Sequence, residues 1–154
     1  MWNELVLLLH PTFGVLAILA SVWVFVETLN AREDNQGRIR LASISVAAFL
    51  WLAYVVGGYW YVVFYGGDKA IIKAGPWPFA HSFFMESKEH LFFTLLLLGS
   101  FLPIVAFNDL AASKPARTLV LWVTTLIVLL SLAMEGAGAF IGMGVKVALL
   151  AQQG

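Results

Sequence analysis

Four apolar stretches, each longer than the ~20 residues an α-helix needs to cross a hydrocarbon core, follow one another with only short polar connections between them. They run over about 4–29, 39–65, 82–107 and 117–143, and the last stays apolar on to Leu150. Pro11 inside the first predicts that the helix kinks or starts there, because proline removes a helix hydrogen bond. Glycines 136, 138, 142 and 144 predict tilt, distortion or a protruding end in the fourth. A chain of this pattern is expected to be all-α: an integral membrane four-helix bundle with up-down topology.

Composition bounds the rest. Hydrophobic residues make up 61% of the 154 and charged ones 12%, about half the charged fraction of a soluble domain. The whole chain, 1–154, therefore reads as one transmembrane domain with the lipid bilayer as its solvent. A formal net charge of zero gives no reason to expect nucleic acid as a partner. The absence of cysteine excludes disulfides, thiolate metal sites, iron–sulfur clusters and thioether-linked haem. No basic leader or small-residue cleavage site precedes the first span, which is expected to remain in the mature protein.

The connections carry the orientation. Arg32, Arg38, Arg40, Lys114 and Arg117 flank the first and third, while Lys69, Lys73 and Lys88 lie on the opposite side. The positive-inside rule then puts both termini on the outer side, as in a bacterial-type inner (plasma) membrane. The middle connection, with Trp77 between two prolines, reads as an interfacial loop, and Tyr59, Trp60 and Tyr61 as an aromatic belt. Glu27 is expected to pair with Arg32 or Arg38.

Ionisable residues gather toward that outer side. His10 lies ~9 Å into the first span at ~1.5 Å per residue, and His90 at a comparable depth in the third. On the third helix Glu86 and His90 share a face with Phe93 and Leu97, while His81 and Lys88 lie on another. Glu89 and Lys88 read as solvated or snorkelling charges at the helix mouth. His81, beside a proline-rich loop, reads as a surface residue. His10, Gly14, Ala17 and Ser21 form one stripe at spacings of four, three and four, and Ser131, Glu135, Gly138 and Gly142 form another. Small residues mark helix–helix contact in membranes, so His10 and Glu135 are expected to point inward. There Glu135 would ligate a metal, accept from an imidazole N–H or stay protonated.

Two histidines at matching depth on diagonal helices, with Gly14 one turn below His10, make the chain resemble the small four-helix membrane cytochromes b. The resemblance implies one b-type haem (haem b) held by His10 and His90, with Gly14 admitting the macrocycle, and hence an electron-transport protein or oxidoreductase subunit. With three histidines in the chain, at most one bis-histidine haem is possible. A second reading is a non-haem site of His10, Glu86, His90 and Glu135, whose imidazole and carboxylate donors suit Fe, Cu, Zn or Mn. A third is a cofactor-free subunit of a larger membrane complex, its His–Glu pairs serving as proton-relay or lipid-interface groups. Partners expected on these readings are other membrane subunits or further copies of the chain, and quinone. No Ser-His-Asp arrangement, Walker loop or HExxH motif is present, so hydrolase and nucleotide functions have no support.

Overall fold

The structure, a computed structural model, describes residues 2–153. It is all-α. Helices α1 (Trp2–Leu29), α2 (Gln36–Val63), α3 (Tyr65–Ala74), α4 (Glu86–Ala106) and α5 (Lys114–Ala151) follow one another, with a π-helical segment, Ala80–Met85, leading directly into α4. Four helical runs are long and apolar enough to cross a membrane: Asn3–Leu29, Gln36–Val63, Ala80–Ala106 and Lys114–Ala151. Their outward residues suit lipid: Val62 is 81% exposed, Leu97 72%, Ile104 68% and Trp122 65%. A soluble monomer rarely shows so much contiguous apolar surface.

The element ends have local causes. α1 continues through Pro11, and α4 through Pro103. α5 opens at Ser113, whose hydroxyl accepts from the Ala116 N–H, with Pro115 in the first turn, where its missing N–H costs nothing. The connection read as an interfacial loop is mostly the short helix α3, stopped by Gly75 and Pro76.

α1 packs on α2 and α5, and α4 packs on the same two, so among the described residues α1 and α4 lie across from each other without close backbone approach. Ala17, Val24, Ile39, Val46, Leu50, Leu95, Leu102, Val120 and Ile127 fill the space between them. Close approach of α4 to α2 depends on Gly99, where a Cβ would overlap the Leu50 side chain.

The two ends are built differently. At one, Gln36 donates to Asp109 Oδ1 at 2.9 Å and Arg40 to the Phe107 carbonyl at 3.3 Å, joining the start of α2 to the loop that follows α4. Glu27 accepts there from Arg38 Nε at 2.8 Å, as its position in sequence anticipates. At the other end α3 and the π-helical segment lie on the second half of α5. Gly75 meets Ala148 and Gly144 meets Ala80, and a Cβ at Gly144 would come 2.6 Å from that of Ala80. This explains the length of α5: its 38 residues span ~57 Å at ~1.5 Å per residue. The part exceeding a ~30 Å hydrocarbon core supports α3, and Gly144 serves that contact within an unbroken helix.

Candidate functional site: a polar-ended cavity between the helices

A cavity of about 650 Å³ opens between α1, α2, α4 and α5 on the α3 side of the molecule. Its walls are apolar and aromatic, including Leu7, Tyr54, Trp60, Phe92 and Phe93, and its polar groups are His10, Tyr61, Asp68, Lys88, Glu89 and Glu135.

His10 is fixed from behind. Its Nδ1 lies 2.9 Å from the carbonyl oxygen of Ala53 on α2. A carbonyl only accepts, so Nδ1 carries the proton and Nε2 presents a lone pair. Nε2 lies 3.5 Å from Lys88 Nζ, reaching across from α4. Lys88 in turn feels the charge of Glu135 of α5. Each of these side chains rests against a glycine of a different helix. A Cβ at Gly57 would lie 2.5 Å from His10 Nδ1, one at Gly138 would lie 3.1 Å from Lys88 Nζ, and one at Gly14 would overlap Glu135 Oε1. Bulk at any of the three would displace a polar group of the site.

Glu89 supplies a further acceptor. The Tyr61 hydroxyl lies within electrostatic reach of its carboxylate, while Glu89 Oε1 is buried with no hydrogen-bond partner among the described residues. A buried unpaired carboxylate oxygen is costly and marks a place where a donor belongs. At the mouth Asp68 of α3 is partly buried, and desolvation raises its pKa above the usual carboxylate value.

His10, Gly14 and Glu135 are thus brought together as the two small-residue stripes anticipate. Glu86 and His90 are not part of this group. His90 is exposed, its Nδ1–H donating at 2.7 Å to the Glu86 carbonyl of its own helix, and neither residue lines the cavity. A haem held between His10 and His90 does not fit these residues: the imidazoles face different surroundings, and Glu135 fills the space beside Gly14. Nor do His10, Glu86, His90 and Glu135 converge, since no group of three or more His, Asp or Glu among the described residues is arranged to hold a metal ion.

Three expectations need correction. Lys88 is not a solvated charge: it sits on the inward stripe with Phe92, Leu95, Gly99 and Leu102, of which Leu95 and Leu102 are fully buried. His81 is no surface residue but 2% exposed, because the π-helical segment folds it onto Tyr65 of α3. Trp60 and Tyr61 are not simply an interfacial belt, since both pack on Tyr65 and line the cavity. Gly57 was not anticipated, although its place in the Gly57–Gly58 pair within an apolar span was the available signal. Compared with protein-family models, with curated proteins and with solved structures, the chain finds no match.

Proposed function

We propose that this chain is a membrane subunit of an electron-transport complex that binds a lipid-soluble quinone or quinol in the cavity and exchanges its protons through His10, Lys88 and Glu135. The observation that carries the reading is the pairing of donor and acceptors at the polar end of an aromatic-walled cleft. Lys88 Nζ can donate to a quinone carbonyl. His10 Nε2 and Glu89 Oε1 can accept from the hydroxyls of the reduced form. Tyr54, Trp60, Phe92 and Phe93 offer ring faces to a flat head group. Three acids, Asp68, Glu89 and Glu135, against the one lysine weigh against an anionic ligand such as a fatty acid.

Reduction of a quinone takes two electrons and two protons. The electrons would come from a redox centre in a partner membrane subunit, and the residues of this chain would supply and position the protons. Such a role belongs to an energised membrane such as a bacterial-type inner membrane. An up-down arrangement with both termini outward agrees with the charges. Arg32, Arg38, Arg40, Lys114 and Arg117 cluster at one end, and Lys88, turned into the cavity, no longer counts for the other.

The test is saturable binding of a short-chain ubiquinone analogue to the purified protein in nanodiscs, read by quenching of tryptophan fluorescence. Lys88→Met and Glu89→Gln should each weaken binding by about tenfold, the equivalent of one charge-assisted hydrogen bond of ~1.4 kcal/mol. Absence of saturable binding, or binding indifferent to both substitutions, would overturn the reading.

A further inference from the structure

Behind the cavity lies a second set of ionisable groups that quinone binding does not use. His81 and Tyr65 are 2% and 1% exposed. The two ring nitrogens of His81 face opposite ways: Nε2 lies 3.5 Å from Glu86 Oε1, and Nδ1 lies 3.1 Å from the Tyr65 hydroxyl. The Glu86 side chain is 48% exposed, so this chain of contacts begins at the surface. It leads inward as well. The Tyr65 ring stacks on Tyr61 with centroids 5.2 Å apart, and both phenols lie within electrostatic reach of Glu89, which lines the cavity.

We propose that Glu86, His81 and Tyr65 form a proton inlet that connects the α3-side surface to Glu89 in the cavity. The geometry of His81 carries this. An imidazole that contacts a surface acid with one nitrogen and a buried hydroxyl with the other can take a proton on one side and release one on the other. In the inward step the Glu86 O–H bond breaks as His81 Nε2–H forms. His81 Nδ1–H breaks as the Tyr65 oxygen gains that proton, and the proton already on Tyr65 leaves that oxygen for the Glu89 carboxylate, the acceptor on the cavity side. One proton enters, one leaves, and no oxidant or reductant is needed.

The surroundings suit a neutral relay. The groups acting electrostatically on His81 are Lys69 and Lys73 of α3 and Glu86 and Glu89 of α4, two of each sign. Tyr65 additionally feels Tyr61 and Asp68, and burial raises its pKa, so the phenol stays protonated between transfers. A purely structural histidine would need only one of the two contacts to satisfy its buried N–H, whereas this one engages both.

The inlet serves the proton exchange proposed for the cavity and in that sense rests on it, but its test contains no quinone, so the two can fail separately. The full chain in lipid nanodiscs is subjected to a sudden acidification from a photo-released proton. Protonation of Glu89 is followed by time-resolved infrared absorption, its band identified by its loss in Glu89→Gln. His81→Gly should slow the appearance of that band by about a hundredfold, a typical contribution of a positioned proton-transfer group, without changing its final amplitude. Added imidazole should restore the rate. Glu86→Gln, an exposed change that leaves the packing alone, should slow it too. An unchanged rate in both variants, a slowed rate that imidazole does not rescue, or no Glu89 response in the native protein would each overturn the inlet.

Discussion

Replacing Gly57 by alanine adds one methyl group, and the structure says where it goes: 2.5 Å from His10 Nδ1 and 2.6 Å from Cε1. Neither the α2 backbone nor the imidazole can yield easily, because the same ring is tied to the Ala53 carbonyl. Forcing an extra carbon into such a contact costs about 1–3 kcal/mol. The substitution also gains up to ~1 kcal/mol of helix propensity, which would blur the result were it not for the next residue. A Cβ at Gly58 meets nothing within 4 Å, so Gly58→Ala collects the propensity without the overlap. Gly57→Ala should therefore be less stable than Gly58→Ala by about 1–3 kcal/mol. At this chain length that separates thermal midpoints by about 2–4 °C per kcal/mol. Displacing the ring from Ala53 forfeits a hydrogen bond of about 0.5–1.5 kcal/mol, so quinone affinity should fall about 2- to 12-fold in Gly57→Ala and stay unchanged in Gly58→Ala. Both are read on purified protein in mild detergent, by thermal unfolding and tryptophan quenching. If the two variants unfold together and bind alike, the His10–Gly57 contact is not what positions the imidazole.

His90→Ala should leave quinone affinity unaltered and change stability by less than ~0.5 kcal/mol, since the ring is exposed and bonded only to its own helix; a loss of binding would return His90 to the site. Asp68 has a pKa raised by burial, so the stability it contributes is full below its unfolded pKa and disappears as pH rises through the folded one. Asp68→Asn should flatten that decline in a series of thermal midpoints against pH. Asp109 behaves oppositely. The backbone N–H of Ala112 and the Gln36 side chain, with the Ala111 N–H, hold its pKa below the usual value. Its contribution is present above the unfolded pKa and lost as pH falls through the folded one, and Asp109→Asn should remove that acid-dependent component.

The four spans were legible because length and apolarity decide them, whatever the facing. Facing on α1 and α5 was legible through small residues: Ala17, Ser21 and Ser131 are buried, and His10 and Glu135 follow them inward. On α4 the same logic was available but was overridden by the polar pair Glu86 and His90, whose stripe continues through Phe93 and Leu97, 62% and 72% exposed. In lipid both sides of a helix are apolar, so a pair of polar residues near its end does not mark the inner face. Gly99 does mark it, and counting back from Gly99 by four, three and four reaches Lys88. His81 was beyond this method. The π-helical turn widens the spacing between residues that share a face, so a count at 3.6 per turn across Ala80–Met85 misplaces every side chain before Glu86.

The three glycines at the site also bear on why it is assembled at all. A charge at the centre of a membrane helix costs about 2.5–3.5 kcal/mol on insertion scales, so Lys88 and Glu135 each burden the helix that carries them. Their mutual attraction offsets part of that cost only if α4 and α5 are brought together in the right register. Gly138 lets Lys88 lie along α5, Gly14 lets Glu135 lie along α1, and Gly57 lets His10 lie along α2. The charged groups therefore favour the same helix contacts that the missing side chains permit. It follows that the polar site is a determinant of helix register as well as of the ligand binding proposed for it. Neutralising both charges together, as in Lys88→Met with Glu135→Gln, should cost less than the two single changes added, because either single change leaves its partner unpaired in the cavity.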